Sequence, residues 1–96
     1  MDRELTLELF APRVGTSVPV TAGNGAVTLT LAEVQELPDS RRVGGGFKLL
    51  FVGPATPQLA QGTYLFDLGN APADSIFIVP IGPDAAGQMR YEAIFY

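Results

Sequence analysis

The sequence has no cysteine and no histidine. Without cysteine there is no disulfide framework, no thiolate metal site and no cysteine nucleophile. Without histidine, the commonest general base, the commonest zinc ligand and the serine–histidine triad are gone too. Carboxylates alone prefer hard cations, so transition-metal and thiol chemistry are not expected, and no cofactor is. Basic residues are scarce: six Lys and Arg stand against ten Asp and Glu, for a net charge of −4. An acidic domain repels nucleic acid and anionic lipid unless its few bases cluster, so neither is an expected partner. No run approaches the roughly 18 apolar residues of a membrane helix. The start, Met1-Asp-Arg-Glu-Leu-Thr-Leu-Glu, is acidic where a signal peptide is basic, which predicts a cytoplasmic location.

What is present is a chain able to fold. Its 96 residues are 47% hydrophobic and 17% charged, which fits one ordered domain over 1–96 and argues against disorder. The clearest local pattern is at the end. Ser75 to Gly82 is an apolar β run, Pro83-Asp84-Ala85-Ala86-Gly87 is a turn, and Gln88 to Tyr96 is a second β run, which together make a hairpin.

Upstream the same grammar repeats. Leu5, Leu7 and Leu9 alternate like a strand, while Leu5, Leu9 and Phe10 fit one helical face that Pro12 would end; the good helix formers Glu and Leu favour a short N-terminal helix. Ser17 to Thr21 is a short strand whose Pro19 cannot donate to a ladder, so it is expected at a sheet edge. Gly23-Asn24-Gly25 is a tight-hairpin signal. Ala26 to Leu37 follows, with Val27, Leu29 and Leu31 on one face; Ala32-Glu33-Val34 breaks that alternation and predicts a bulge near Ala32. After a turn at Pro38-Asp39-Ser40, residues 41–46 read as a glycine-rich loop. Phe47 to Val52 and Thr63 to Leu68 are the remaining strands, joined by a loop from Gly53-Pro54 to Gly62.

Six strands with short connections predict antiparallel neighbours, following one another in sequence and curling into a small barrel or two-layer sandwich. The expected core is Leu29, Leu31, Phe51, Tyr64, Phe66, Ile78, Ala93 and Phe95. One loose echo, Val52-Gly53-Pro54 against Ile81-Gly82-Pro83, reads as reused turn chemistry.

Candidates for chemistry are weak. Arg41-Arg42-Val-Gly-Gly-Gly-Phe47-Lys48 faintly resembles an RNA-binding strand motif, but that fold needs two helices for which this chain has no room. Asp67, Asp74 and Asp84 stand singly at strand ends, a turn-capping pattern without the close donors of a calcium loop. Lys48, the sole lysine, reads as a surface side chain whose stem covers apolar neighbours. Gly44-Gly45-Gly46 lacks the lysine and helix start of a phosphate loop. Ten acids permit a glycosidase-like pair, but nothing marks one, and so small a domain offers little cleft. The end of the chain, Tyr91, Ala93, Phe95 and Tyr96, is similar to an outer-membrane barrel strand, but those barrels have at least eight long strands and a secretion signal. The chain is therefore not expected to be an enzyme.

Several segments together resemble a small bacterial domain family of unknown function: Phe10-x-Pro12-x-Val14-Gly15, Leu29-x-Leu31-x-x-Val34, Phe51-x-Gly53-Pro54, Gln61-Gly62-Thr63-Tyr64, Val79-Pro80-Ile81-Gly82-Pro83-Asp84 and Tyr91-Glu92-Ala93-Ile94-Phe95. The chain departs from that pattern at position 18, which is Val where an aromatic is expected, and in the loop around Arg41 to Gly46. Family members resemble companions of phage-tail-collar-like proteins. The resemblance implies an accessory or structural role and brings no catalytic residues with it.

One feature points to a partner. In a lone antiparallel barrel each strand alternates apolar and polar residues. Phe47 to Val52 and Ile76 to Ile81 do not, and the second strand has an all-apolar second face: Phe77, Val79 and Ile81. Leaving these in water forgoes roughly 1.5–3 kcal/mol each relative to burial. Either the N-terminal segment, through Leu5, Leu9 and Phe10, covers that face, or another chain does. The expected function is a binding or assembly module, with a protein partner or a homo-oligomer, in a phage-tail-like assembly. The alternative is a carrier whose barrel holds an apolar ligand, although so narrow a barrel is usually filled by its own side chains.

Overall fold

The computed structural model describes residues 5–22, 25–37, 46–56, 58–69 and 73–95. The signals at Gly23-Asn24, Pro38 to Gly45 and Tyr96 lie outside them. Helix α1, Leu7–Phe10, is opened by Thr6, whose hydroxyl accepts the Leu9 N–H at 3.3 Å. A 3-10 turn, Ala11–Arg13, takes in Pro12, and the Arg13 guanidinium donates back to the Leu9 carbonyl. Six strands follow: β1 Ser17–Ala22, β2 Gly25–Leu37, β3 Gly46–Gly53, β4 Gly62–Phe66, β5 Asp74–Pro83 and β6 Met89–Phe95. All neighbours are antiparallel, and they close into a barrel in the order β1-β2-β3-β6-β5-β4. No described helix is long and apolar enough to cross a membrane.

That order departs from a sequential path. The segment between β3 and β4 carries Leu59 into the core, where the Leu59 N–H donates to the buried Tyr91 hydroxyl at 2.8 Å. The place beside β3 is taken by β6, while β4 pairs with β1 and β5. β5 divides its ladder, Asp74 to Ile78 against β4 and Val79 to Pro83 against β6. The echoed Gly-Pro pairs flank one residue, since Gly53 and Pro83 lie opposite Met89 from either side.

Closure corrects the edge position expected of β1, which pairs with β2 and β4. Pro19 still leaves its mark. The Asp67 N–H donates to the Pro19 carbonyl at 2.9 Å, so the absent Pro19 donor faces the same strand. The β1–β4 register pairs are only Val20↔Phe66 and Thr21↔Leu65, making this the shortest seam.

Two bulges shape the wall. In β2 the register shifts between Leu31, opposite Phe51, and Glu33, opposite Leu50, which leaves Ala32 as the extra residue. In β5 it shifts between Pro80 and Gly82; Gly82 has φ 98, a conformation that glycine adopts without a Cβ clash. The β5–β6 turn is tied by Asp84, whose Oδ1 accepts the N–H groups of Ala86 and Gln88, and Gly87 takes φ 84. Asp67 does the same for the Gly69 N–H, so both aspartates cap turns.

The interior is filled by side chains. Leu29, Leu31, Phe51, Phe66, Ile78 and Ala93 are buried as expected, joined by Val20, Leu49, Ile76 and Tyr91. Tyr64 and Phe95 are only partly buried: the Tyr64 hydroxyl reaches outward to the Ala60 carbonyl, and Phe95 stacks on Phe47 at the barrel rim with ring centroids 4.6 Å apart.

Candidate docking face

The described N-terminal residues, from Leu5 onward, do not cover the outer face of β5. Phe10 is fully buried, its ring 5.9 Å from Phe47 and 6.1 Å from Phe95, so α1 closes one end of the barrel. This follows from inward-facing Phe47: the short helix finds more apolar surface at the open rim than on the flank. Phe77 is left 51% exposed and Ile81 38% exposed, with Val79 half-buried between them.

Two further side chains extend this surface. Leu65 on β4 is 45% exposed and Ile94 on β6 is 56% exposed. Leu65 lies opposite Ser75 and Thr63 opposite Phe77, which makes Leu65 a diagonal neighbour of Phe77. Val79 lies opposite Glu92, so Ile94 is the diagonal neighbour of Val79. Phe77, Val79 and Ile81 therefore form the spine of an apolar surface that Leu65 and Ile94 extend diagonally onto β4 and β6, past Thr63 opposite Phe77 and Glu92 opposite Val79. The spine is legible in the sequence as an unbroken apolar run. Leu65 and Ile94 are not, because a single apolar residue on an alternating strand gives no signal until the barrel sets its neighbours beside it.

Beside this surface the outer wall of β2, β3 and β6 forms a shallow groove of about 180 Å³, bordered on the β5 side by Ile81. Its floor is Leu50, and Glu33, Gln35, Lys48, Arg90 and Glu92 surround it. Lys48 is tied to Glu92 at 3.5 Å, a half-exposed ion pair of the kind worth about 0–1 kcal/mol. Arg90 donates through Nε to the Gly82 carbonyl at 3.3 Å and through a terminal nitrogen to the Ile81 carbonyl at 3.5 Å. The β5 bulge thus turns two carbonyls outward, and Arg90 both satisfies them and is held by them. Neither Arg90 nor Glu33 forms an ion pair with any described residue. Among the described residues no three acidic side chains gather as a metal site would require.

A closed antiparallel barrel with a filled interior and an apolar flank defines a small β-barrel domain whose free chemistry lies on its outer wall. Residues 5–95 match a domain of unknown function (DUF6916), and the chain belongs to that family. No curated protein and no solved structure matches it.

Proposed function

We propose that this domain is a non-enzymatic binding module that docks a protein partner on the apolar flank built by Phe77, Val79 and Ile81 with Leu65 and Ile94. The observation that carries the reading is the half-exposed ring of Phe77 among apolar neighbours on three adjacent strands. Contiguous apolar surface on a folded domain marks an interaction site, and aromatic side chains anchor such sites. Pro80 interrupts donors along β5, which favours packing on the face over addition of a strand to it. The resemblance to companions of phage-tail-collar-like proteins supports a phage-tail-like assembly as the setting. The carrier alternative requires internal space, and in this barrel Leu29, Phe51, Phe66, Ile78 and Tyr91 occupy the interior.

The test is Phe77→Glu, with partner capture from the native host and thermal melting measured side by side. The reading expects capture to be lost while the melting temperature stays within a few degrees, since an outward side chain contributes little to the core. Capture that survives the substitution in a folded protein would remove the face from consideration.

A further inference from the structure

We propose that two copies of this chain associate through the outer wall of β2, β3 and β6, each copy's Glu33 pairing with the other's Arg90 across Leu50. This goes beyond the docking flank, since it uses the neighbouring surface and names its occupant.

The whole chain carries −4, which repels a second copy. On this wall Glu33 and Glu92 are balanced by Lys48 and Arg90, so the excess negative charge lies elsewhere. Two of the three described basic side chains are here, the third being Arg13. A neutral patch with both signs around an apolar floor can be complementary to itself, which a two-fold interface requires.

Register makes the complementarity specific. Glu33 lies opposite Leu50 on one side of β3, and Arg90 lies opposite Val52 on the other. Adjacent strands are about 4.8 Å apart, so Glu33 and Arg90 flank β3 at similar distances. A two-fold axis in the contact plane, passing over β3 between Leu50 and Val52 and oblique to the strand, exchanges their positions. Glu33 of each copy then stands over Arg90 of the other, and Leu50 and its ladder partner Glu92 flank the axis, so that Leu50 of each copy packs beside the other's Leu50 and Glu92. Of the four charges that line this groove, the two that lack an ion-pair partner among the described residues are the two that the axis brings together, whereas Lys48 and Glu92 already satisfy each other. Arg90 is presented ready-made, because the Ile81 and Gly82 carbonyls fix one side of its guanidinium.

The experiment is sedimentation velocity over a dilution series of the wild-type chain, Glu33→Arg, Arg90→Glu and an equimolar mixture of the two variants. Wild type is expected to dimerise. Each variant alone sets like charges against each other twice, and its dissociation constant should rise by roughly tenfold or more. The mixture restores both pairs, one in its native polarity and one reversed, and should recover the dimer. Arg90→Glu also removes the anchor of the β5 bulge; if that variant loses its melting transition, Leu50→Glu and Leu50→Lys replace the pair, each repelling itself at the axis and matching the other. A wild-type monomer throughout the series overturns the proposal, as does a dimer indifferent to Glu33→Arg, or folded variants that fail to associate when mixed. Phe77→Glu should leave this dimer intact, so the docking flank and the dimer stand or fall separately.

Discussion

Tyr91 is fully buried, yet its hydroxyl accepts the Leu59 N–H at 2.8 Å. A phenol oxygen inside a barrel is tolerated because it has this partner, and the partner fixes the segment that lets β4 depart from β3. Tyr91→Phe keeps the ring and strands the Leu59 donor, with an expected loss of about 1–3 kcal/mol in urea unfolding. A loss below about 0.5 kcal/mol would mean that Leu59 finds another acceptor. Gly53 is constrained from another direction. A Cβ there would collide with Leu29 Cδ2, and Leu29 is fully buried. Gly53→Ala should therefore cost about 1–3 kcal/mol through overpacking, measured in the same way. The turn glycine Gly87 has no atom near its position and owes its identity to backbone angle instead. The Gly-Pro echo in the sequence thus hides two different demands, space at Gly53 and conformation at Gly82.

Among the elements, the β1–β4 seam is the place where the barrel is least securely closed. Pro19 removes the donor that would extend the ladder, which leaves two register pairs beside the single Asp67 to Pro19 bond. By contrast β3 and β6 pair from Phe47↔Phe95 to Gly53↔Met89. Native-state hydrogen exchange should find the Leu65 and Asp67 amides exchanging faster than those joining β3 to β6. Equal protection would mean that the barrel opens only as a whole. Strand identities, the β2 bulge and the Asp67 and Asp84 turn caps were legible in the sequence, because alternation and turn chemistry are local. Strand order was not, since it rests on pairings between distant segments, β3 with β6 and β1 with β4, that have no local signature. The resting place of α1 was left open for a similar reason: Leu5, Leu9 and Phe10 declare an apolar stripe but not whether rim or flank receives it.

At the scale of the whole molecule, the interior and the exterior divide the work. Apolar side chains from every strand fill the barrel, and the surface that remains distinctive is outside. Phe77, Val79 and Ile81 were legible as a candidate face because an antiparallel strand with two apolar sides breaks alternation. The charged groove was not, because Glu33, Lys48, Arg90 and Glu92 come from three separate segments that only closure brings together. Recognition on the outer wall is the central claim, and hydroxyl-radical footprinting of the free chain and of the chain recovered with its host partner tests it most directly. Phe77, Leu65 and Ile94 should label readily in the free chain and become protected in the complex, while Phe51 and Phe66 stay unlabelled in both. Unchanged labelling of Phe77, with protection appearing elsewhere on the barrel, would contradict it.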